Sequence, residues 1–276
     1  MSPFRRLPLG STVGGDVSIV DVVAEVRGRH PVYLAWSHRD WCPVALKVFR
    51  SGHDARREAE VLERVAHPNI VRSLGVCAPR YLLMEHLEGP TLRQMIDEGE
   101  LKPNDVMRIG VHIGAALARV HAAGYLHLDL KPGNVIVASG RPVLIDFGTA
   151  RVVGHKASRV MGTDGYIAPE LPGGAPLTSA ADVFALAATL VEMLTGDHPF
   201  DHNGVTAIRD EVLRTLYAKV RPTTAALLLD AVSVDPARRP GLEMLLPALN
   251  ASIRRGPKMW PAGFNPAVTL QRRKAA

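Results

Sequence analysis

Cysteine is scarce in this 276-residue chain, and long apolar runs are absent from it. The two cysteines, Cys42 and Cys77, stand far apart and in no paired motif, which excludes a disulfide framework and a cysteine-rich zinc site and favours a reducing compartment. No uncharged stretch reaches the roughly 18 residues that a spanning helix needs, and the N-terminal arginines precede no apolar segment. We therefore expect a cytoplasmic protein without a membrane span.

Acidic residues are missing from the last part of the chain, residues 251–276. The six basic residues there equal the formal net charge of the whole chain, +6, so residues 1–250 are balanced. The net positive charge thus lies in the tail, and no nucleic-acid partner is expected. A solvated basic tail is the favoured interpretation, and a specific anion-binding arm is the alternative. The six residues are Arg254, Arg255, Lys258, Arg272, Arg273 and Lys274.

The rest of the composition is that of a globular protein, with 47% hydrophobic and 22% charged residues. Short β-branched and aromatic runs separated by Gly, Pro and Asp fill the first third and predict strands. These runs cover residues 17–26, 32–36, 44–49, 70–76 and 80–86, and one helix is predicted among them at residues 54–66.

Beyond Gly89-Pro90 apolar residues recur mostly at helical spacing. The segment from Ser179 to Asp182 has the spacing of a capping box at a helix start. A β-rich first third followed by a helical remainder predicts two lobes, hinged near residues 85–90. The predicted helices cover residues 105–123, 179–195, 205–218, 223–232 and 241–253, and short strands are predicted at residues 135–137 and 143–145.

Residues 127–134, HLDLKPGN, concentrate polar groups in one short segment, and Asp146-Phe147-Gly148 and Ala168-Pro169-Glu170 follow it. Phosphoryl transfer needs a carboxylate to orient the acceptor hydroxyl, oxygen ligands for magnesium, and cations to offset charge on the moving group. The first segment supplies Asp129, Lys131 and Asn134, and the next supplies Asp146. These residues indicate a phosphoryl-transfer site.

Taken in order, these motifs resemble the eukaryotic-like Ser/Thr protein kinase family over about residues 17–250. The resemblance implies an α+β bilobal fold, with a β-rich N-lobe at residues 17–87 and a helical C-lobe at residues 88–250. An N-terminal extension at residues 1–16 and the basic tail at residues 251–276 would flank the lobes. The matching elements are Val44-Ala45-Leu46-Lys47, Glu58, HLDLKPGN, DFG, APE, Asp182 and residues 235–240 (DPARRP).

The resemblance implies transfer of the γ-phosphoryl group of ATP, with Mg²⁺, to Ser or Thr hydroxyls of protein substrates, including the chain itself. Lys47 would bind the α- and β-phosphates and pair with Glu58; Glu60, the alternative, lies about 200° away around the helix. Asp129 would orient the acceptor hydroxyl and accept its proton, and Lys131 would contact the γ-phosphate. The oligomeric state stays open.

The same resemblance implies that Asn134 and Asp146 hold the magnesium ions. Thr163 would support Asp129 and Lys131, and Asp182 would anchor the backbone of residues 127–134. The adenine ring would lie among Val32, Ala45, Met84 (as gatekeeper), Glu85, Leu87 and Ile136. Glu170 is expected to pair with Arg239. His127 is expected to be packed structurally, and His112 and His121 are expected to have no chemical role.

Two departures from the family pattern stand out. The glycine positions of the phosphate-covering loop, aligned on Val32 15 residues before Lys47, fall on Glu25, Arg27 and His30. Glycine lets backbone N–H groups approach phosphates, so side-chain charge from Arg27, Arg29 or His30 would have to substitute. Leu128 replaces the arginine that receives an activation-loop phosphate, so activity is expected not to depend on such phosphorylation.

Two other functions compete with a protein kinase. A pseudokinase or scaffold would bind partners through the same fold, and the glycine-poor loop favours it. The presence of Lys47, Glu58, Asp129, Asn134 and Asp146 opposes it. A small-molecule kinase of the aminoglycoside type shares the H-x-D-x-x-x-x-N pattern, but it usually lacks the APE and D-P-x-x-R-P elements.

Overall fold

The N-terminal part of the chain folds into one antiparallel sheet of six strands, in the order β1-β2-β3-β4-β6-β5. A computed structural model describes residues 6–24, 30–99, 101–156, 161–200 and 207–253. Alternate residues of β3 are buried, as expected for a strand with one covered face. The strands are β1 (Thr12–Val13), β2 (Val17–Ala24), β3 (Val32–Ser37), β4 (Cys42–Val48), β5 (Ser73–Ala78) and β6 (Tyr81–Glu85).

Helix α1 (Gly52–Arg64) lies between β4 and β5 in sequence and packs against β5 and β6. Its N-cap is Ser51, whose side chain accepts a hydrogen bond from the backbone N–H of Asp54 at 3.1 Å. The buried face of α1 is apolar except for Glu58, which is 1% exposed. A fully buried glutamate needs a charged partner, so a cation is expected beside Glu58.

The remaining chain is mostly helical and is built around α4 (Ser179–Thr195), whose residues from Ala181 to Leu194 are all buried. A helix that is apolar on all sides belongs in a core, and α3, α5 and α6 pack against it. The other helices are α2 (Leu92–Asp97), α3 (Pro103–Ala122), α5 (Asp210–Lys219), α6 (Pro222–Ala231) and α7 (Leu242–Ser252).

Two small two-stranded sheets lie in the helical part. Strands β8 (Val135–Ala138) and β9 (Arg141–Leu144) form one, and β7 (Tyr125–Leu126) with β10 (Arg151–Val152) forms the other. Two loops that carry polar residues run between these sheets: residues 127–134 join β7 to β8, and residues 145–150 join β9 to β10. Across the described residues, no helix has the length and apolar character to cross a membrane.

Gly89 lies in the segment that joins the sheet to the helical part, between β6 and α2. Its φ is +155°, and a Cβ at this position would lie 2.2 Å from the carbonyl oxygen of Val137 in β8. Any other residue would push this segment away from β8. The joining segment is therefore fixed against the helical part at this point, near the hinge predicted at residues 85–90.

The structure departs from the sequence-based elements at several ends. The strand predicted at residues 70–76 begins at Ser73, because Ile70 instead forms a single bridge to Leu144. The predicted helix at residues 205–218 begins at Asp210. Helix α2 was not predicted, although Thr91 and Gln94 form a capping box at its start.

The capping box predicted from Ser179 to Asp182 is wrong. Helix α4 has Thr178 as its N-cap, and no side chain caps it by a hydrogen bond. The carboxylate of Asp182 instead accepts hydrogen bonds from the backbone of residues 127 and 128. The side chain of Asp182 thus makes a tertiary contact, whereas the local pattern predicts a contact within its own helix.

Candidate active site

Three charged side chains from three elements meet in one ion network. The ammonium group of Lys47, in β4, lies 2.7 Å and 2.8 Å from the two carboxylate oxygens of Glu58 in α1. It also lies 2.7 Å from Oδ1 of Asp146, just beyond β9. Lys47 is 5% exposed. The network thus joins the sheet, α1 and the helical part through one buried cation. Glu60, the alternative partner, is exposed on the opposite side of α1.

Lys47 and Asp146 stabilise each other's charge, whereas burial, which outweighs the attraction of Lys47, and the nearby Asp146 raise the pKa of Glu58. Burial alone would lower the pKa of Lys47, but the adjacent carboxylates of Glu58 and Asp146 outweigh it and raise that pKa above its ordinary value. Burial would likewise raise the pKa of the Asp146 carboxyl, but Lys47 and the N–H of Gly148 hold it below its usual range. Lys47 and Asp146 are therefore both ionised at neutral pH.

The carboxylate of Asp129 is the centre of a second polar cluster. The hydroxyl of Thr163 donates to its Oδ1 at 2.7 Å, and the ammonium group of Lys131 donates to its Oδ2 at 3.0 Å. The side-chain amide of Asn134 donates to the same Oδ2 at 2.9 Å and to the backbone carbonyl of Asp129 at 2.8 Å. Lys131 also bonds Thr163. These contacts fix the orientation of a carboxylate that remains 7% exposed.

The backbone of residues 127 and 128 is hydrogen-bonded to the core helix α4. Asp182, which is fully buried, accepts hydrogen bonds from the N–H groups of His127 at 2.9 Å and Leu128 at 2.8 Å. Leu128 has a φ of +65°, an unusual conformation for a branched side chain. Two buried N–H groups bonded to one carboxylate offset that strain.

His121 also belongs to this anchor, which corrects the expectation that it has no chemical role. Its Nε2 lies 2.8 Å from Oδ2 of Asp182. Burial would raise the pKa of Asp182, but the bond from His121 and the neighbouring donors lower it. His121 lies 61 residues before Asp182, so helical periodicity alone could not indicate the contact. For His127, complete burial and an edge contact with the ring of Phe147 at 4.7 Å agree with a packed, structural histidine.

The polar groups at Asn134 and Asp146 suit a hard divalent cation. Oδ1 of Asp146 is bonded by Lys47 and by the N–H of Gly148, whereas Oδ2 has no hydrogen-bond partner within the part of the chain that the structure describes. Both hydrogen bonds of the Asn134 amide come from its nitrogen, which leaves its oxygen as a ligand. Mg²⁺ is usually held by one or two such oxygens together with phosphates. No cluster of three or more metal-ligating side chains occurs among the described residues.

The residues predicted to surround adenine lie on adjacent elements. Val32 pairs with Lys47 across β3 and β4, and Ala45 pairs with Met84 across β4 and β6. Glu85 ends β6, Leu87 lies in the joining segment, and Ile136 in β8 bridges to Thr91. Met84 is buried, and the others are partly buried. The elements that carry them surround the joining segment between the two parts of the fold.

Residues 25–29 of the predicted phosphate-covering loop, including Glu25, Arg27 and Arg29, lie outside the described residues. His30 is described, and its ring packs against that of Phe49 at a tilt of 34°, with the ring centres 4.6 Å apart. Burial and the nearby Lys47 lower the pKa of His30. His30 is therefore neutral at pH 7, and the suggestion that it supplies positive charge there is not supported.

A buried ion pair connects the APE segment to the end of the helical part. The guanidinium of Arg239 donates to both oxygens of Glu170 at 2.8 Å, which confirms the pairing expected from the sequence. A second network, absent from the sequence-based expectations, joins Glu192 of α4 to Arg93 of α2 and to the hydroxyl of Tyr166. Together these pairs fix residues 166–170 beside Thr163 and Asp129.

Comparison with known proteins agrees with this geometry. Residues 30–248 match the family model described as protein kinase domain. The kinase domain of PknI from Mycobacterium tuberculosis is 29% identical in sequence and superimposes with a TM-score of 0.70, covering 90% of this chain and 99% of that one. The two structures therefore share the fold over nearly the whole of that domain.

Two curated relatives are similar in sequence. Serine/threonine-protein kinase PrkC of Bacillus subtilis is 30% identical over 255 residues, which is 84% of this chain and 39% of the relative. Serine/threonine-protein kinase PkaA of Streptomyces coelicolor is 39% identical over 156 residues, which is 52% of this chain and 29% of the relative. The chain thus spans well under half the length of either relative. With its family model matched over most of its length and both ion networks in place, this chain belongs to the protein kinase family.

Proposed function

We propose that the chain transfers the γ-phosphoryl group of ATP to Ser or Thr hydroxyls of protein substrates. The observation that carries the proposal is the Lys47–Glu58–Asp146 network formed together with the Asp129–Lys131–Thr163 cluster. Relatives named serine/threonine-protein kinases support the acceptor class. A scaffold without catalysis would not need both clusters, since each buries charges at a cost in free energy.

Lys47 is the residue proposed to bind the nucleotide phosphates. Its ammonium group is held at a fixed position by Glu58 and kept charged by both neighbouring carboxylates. A cation positioned in advance needs no reorganisation when negative charge arrives, which is the main source of electrostatic catalysis. Glu58 is therefore proposed as a positioning residue that acts through Lys47.

Asp129 is proposed to receive the acceptor hydroxyl. Thr163, Lys131 and Asn134 together orient its carboxylate, so one oxygen can accept the hydrogen of an incoming Ser or Thr. The bond from the acceptor hydroxyl oxygen to the γ-phosphorus forms as the bond from the γ-phosphorus to the bridging β-phosphate oxygen breaks. The proton of the hydroxyl passes to Asp129. Positioning contributes more than basicity, since such transition states are loose.

The oxygens of Asn134 and Asp146 are proposed to hold Mg²⁺, which would neutralise charge on the phosphates. Lys131, close to Asp129, is proposed to contact the γ-phosphate as that group moves. Val32, Ala45, Met84, Leu87 and Ile136, with the backbone of Glu85, are proposed to enclose the adenine ring. These roles make residues 17–87 the nucleotide lobe and residues 88–250 the acceptor lobe.

The test is incubation of the purified chain with ATP labelled at the γ-phosphate and Mg²⁺, with a generic basic protein as acceptor. We expect label on phosphoserine or phosphothreonine of the acceptor or the chain, and its loss in Asp129→Asn. Asp210→Asn, an exposed carboxylate in the first turn of α5, is the matched control and should retain transfer.

A failure of the proposal has a distinct signature. No incorporation in the unaltered chain, together with no change in melting temperature on adding Mg-ATP, would favour the scaffold interpretation. Label transferred to an aminoglycoside but not to any protein would identify a small-molecule kinase instead. Equal incorporation by Asp129→Asn would show that the assigned acceptor residue is incorrect.

A further inference from the structure

The peptide group between His127 and Leu128 is held by side chains on both of its sides. Asp182 of α4 accepts a hydrogen bond from the N–H of Leu128 at 2.8 Å. On the other side, the hydroxyl of Thr149 donates to the carbonyl oxygen of His127 at 2.9 Å. Thr149 lies in the loop between β9 and β10, three residues after Asp146. The core helix and the loop that carries a proposed magnesium ligand thus fix the same peptide group.

The backbone at this peptide group is strained. Leu128 has a φ of +65°, a region that branched side chains rarely adopt. Rotation of the peptide group between residues 127 and 128 changes this φ and is the local movement that would relieve the strain. Such a rotation would turn the carbonyl away from Thr149 and the N–H away from Asp182, so both hydrogen bonds oppose it. Thr149 therefore helps to keep the backbone directly before Asp129 in its strained conformation.

Other contacts of this segment hold different groups. Nδ1 of His127 accepts from the N–H of Asp129 at 3.3 Å, and Nε2 of the same ring lies 3.2 Å from the carbonyl oxygen of Ile145. Neither contact involves the carbonyl of His127, which the Thr149 hydroxyl holds. Loss of that hydroxyl should therefore loosen one peptide group and leave the rest of the segment in place.

We propose that Thr149 is a positioning residue for Asp129 and acts through the carbonyl of His127. The inference rests on the proposed function, in which Asp129 receives the acceptor hydroxyl. Positioning supplies a large share of catalysis in such a reaction, so a displaced carboxylate orients the acceptor less well and slows transfer. Thr149 acts through the backbone, and no contact of its own with the substrate is required.

Thr149 could reach the reaction by two routes, through Asp129 or through Asp146. The hydrogen bond favours Asp129, because it ends on the backbone directly before that residue. The carboxylate of Asp146 is held instead by Lys47 at 2.7 Å and by the N–H of Gly148 at 3.3 Å. An effect through Asp146 would change the requirement for Mg²⁺, whereas an effect through Asp129 would not.

The experiment measures steady-state transfer from ATP to a generic basic protein by the unaltered chain, Thr149→Val and Thr149→Ser. Valine keeps the branched shape and removes the hydroxyl, and serine keeps the hydroxyl. We expect Thr149→Val to lower kcat about fivefold, the factor that one neutral hydrogen bond represents, with the KM for ATP and the Mg²⁺ concentration for half-maximal rate unchanged. Thr149→Ser should stay within about twofold of the unaltered chain, since it can remake the bond.

Thr195→Val is the matched control. It removes another half-buried hydroxyl, which donates to the carbonyl of Val191 at 2.9 Å at the end of α4, and should retain transfer. Hydrogen exchange gives a second readout that needs no catalysis. Measured by mass spectrometry without ATP, peptides that contain residues 127–129 should exchange faster in Thr149→Val, and at the unaltered rate in Thr149→Ser and Thr195→Val.

An unchanged kcat in Thr149→Val overturns the proposal, whatever the exchange shows. An equal loss of kcat in Thr149→Ser overturns it as well, and so does a raised Mg²⁺ requirement with unchanged exchange, which places the effect at Asp146. If Thr149→Val does not fold, as judged by circular dichroism, Thr149→Ala takes its place. Absence of transfer by the unaltered chain would instead refute the proposed function. Faster exchange in Thr149→Val would then still support the hold of its hydroxyl on residues 127–129, and unchanged exchange would overturn it.

Discussion

Replacing Arg239 by methionine should be among the most destabilising single changes in this protein. Its side chain is fully buried, and it donates to both oxygens of Glu170 and to the backbone carbonyls of Ala180 at 3.0 Å and Ser233 at 2.9 Å. Its guanidinium also lies 5.0 Å from the ring centre of Phe184. Methionine keeps similar length but provides no donor.

The magnitude follows from what the substitution leaves behind. Removing one partner of a buried ion pair costs about 3–5 kcal/mol, because the other charge stays buried and unpaired. The carboxylate of Glu170 is 14% exposed, so water relieves part of this cost. The two carbonyl oxygens lose their donors and add to it. We therefore expect a loss of about 3–5 kcal/mol, a large share of the 5–15 kcal/mol typical of whole proteins.

Urea denaturation followed by circular dichroism measures the free energy of unfolding for the unaltered chain, Arg239→Met and Arg238→Met. Arg238 is the adjacent residue; its side chain is 68% exposed and pairs with Asp230, 50% exposed, at 3.4 Å. Exposed pairs contribute at most about 1 kcal/mol, so Arg238→Met should change little. A loss below 1 kcal/mol for Arg239→Met, or equal losses for both variants, would refute the reasoning.

Two further predictions concern the segment around Asp129. Asp182→Asn should lower the free energy of unfolding by about 1–3 kcal/mol at pH 7, because an amide cannot replace a carboxylate that accepts from three donors. The folded-state pKa of Asp182 is depressed, so its stabilisation is present above the unfolded value of about 3.9 and is lost as pH falls toward the folded value. Urea titrations should therefore show a difference in the free energy of unfolding between Asp182→Asn and the unaltered chain that is constant from pH 8 to 5 and shrinks below about pH 4. A difference that grows on acidification contradicts this. Ser158→Ala should retain the rate of γ-phosphoryl transfer, because Leu128 offers no cation to a phosphate there, and lost activity with an unchanged circular dichroism spectrum would count against it.

Local patterns predicted the long elements well and the contacts between them only in part. Helices α3 and α4 have enough residues to show a clear helical period, whereas the six residues of α2 are too few. The resemblance to a family indicated Lys47 and Glu58 as partners and Asp146 as a magnesium ligand, because their motifs occur in order, but it did not indicate the contact of Asp146 with Lys47. The contact of His121 with Asp182 joins α3 to α4 and follows from the packing of two helices, which no single-sequence period encodes.

The approach of Arg57 of α1 and Arg151 of β10 to one backbone carbonyl shows the same limit. Each arginine looks like an ordinary surface residue in its own segment, and only the approach of α1 to β10 brings both to the carbonyl of Gly148. Asp182 is a comparable case, since the local pattern predicts a helix-capping role and the structure shows it bonded to the backbone of residues 127 and 128. In each case the deciding partner is distant in sequence.

The hydrogen bonds that hold residues 127 and 128 to α4 have a consequence for how such a chain can evolve. Asp129, proposed to receive the acceptor hydroxyl, follows a backbone segment that Asp182 holds to the core of the helical part, whereas Lys47 and Glu58 belong to the sheet and α1. Substitutions in the sheet that leave Lys47 in place are therefore expected to alter the proposed nucleotide site while the orientation of Asp129 is kept. The bond from Lys47 to Asp146 is one contact through which a change in the sheet would still reach the helical part.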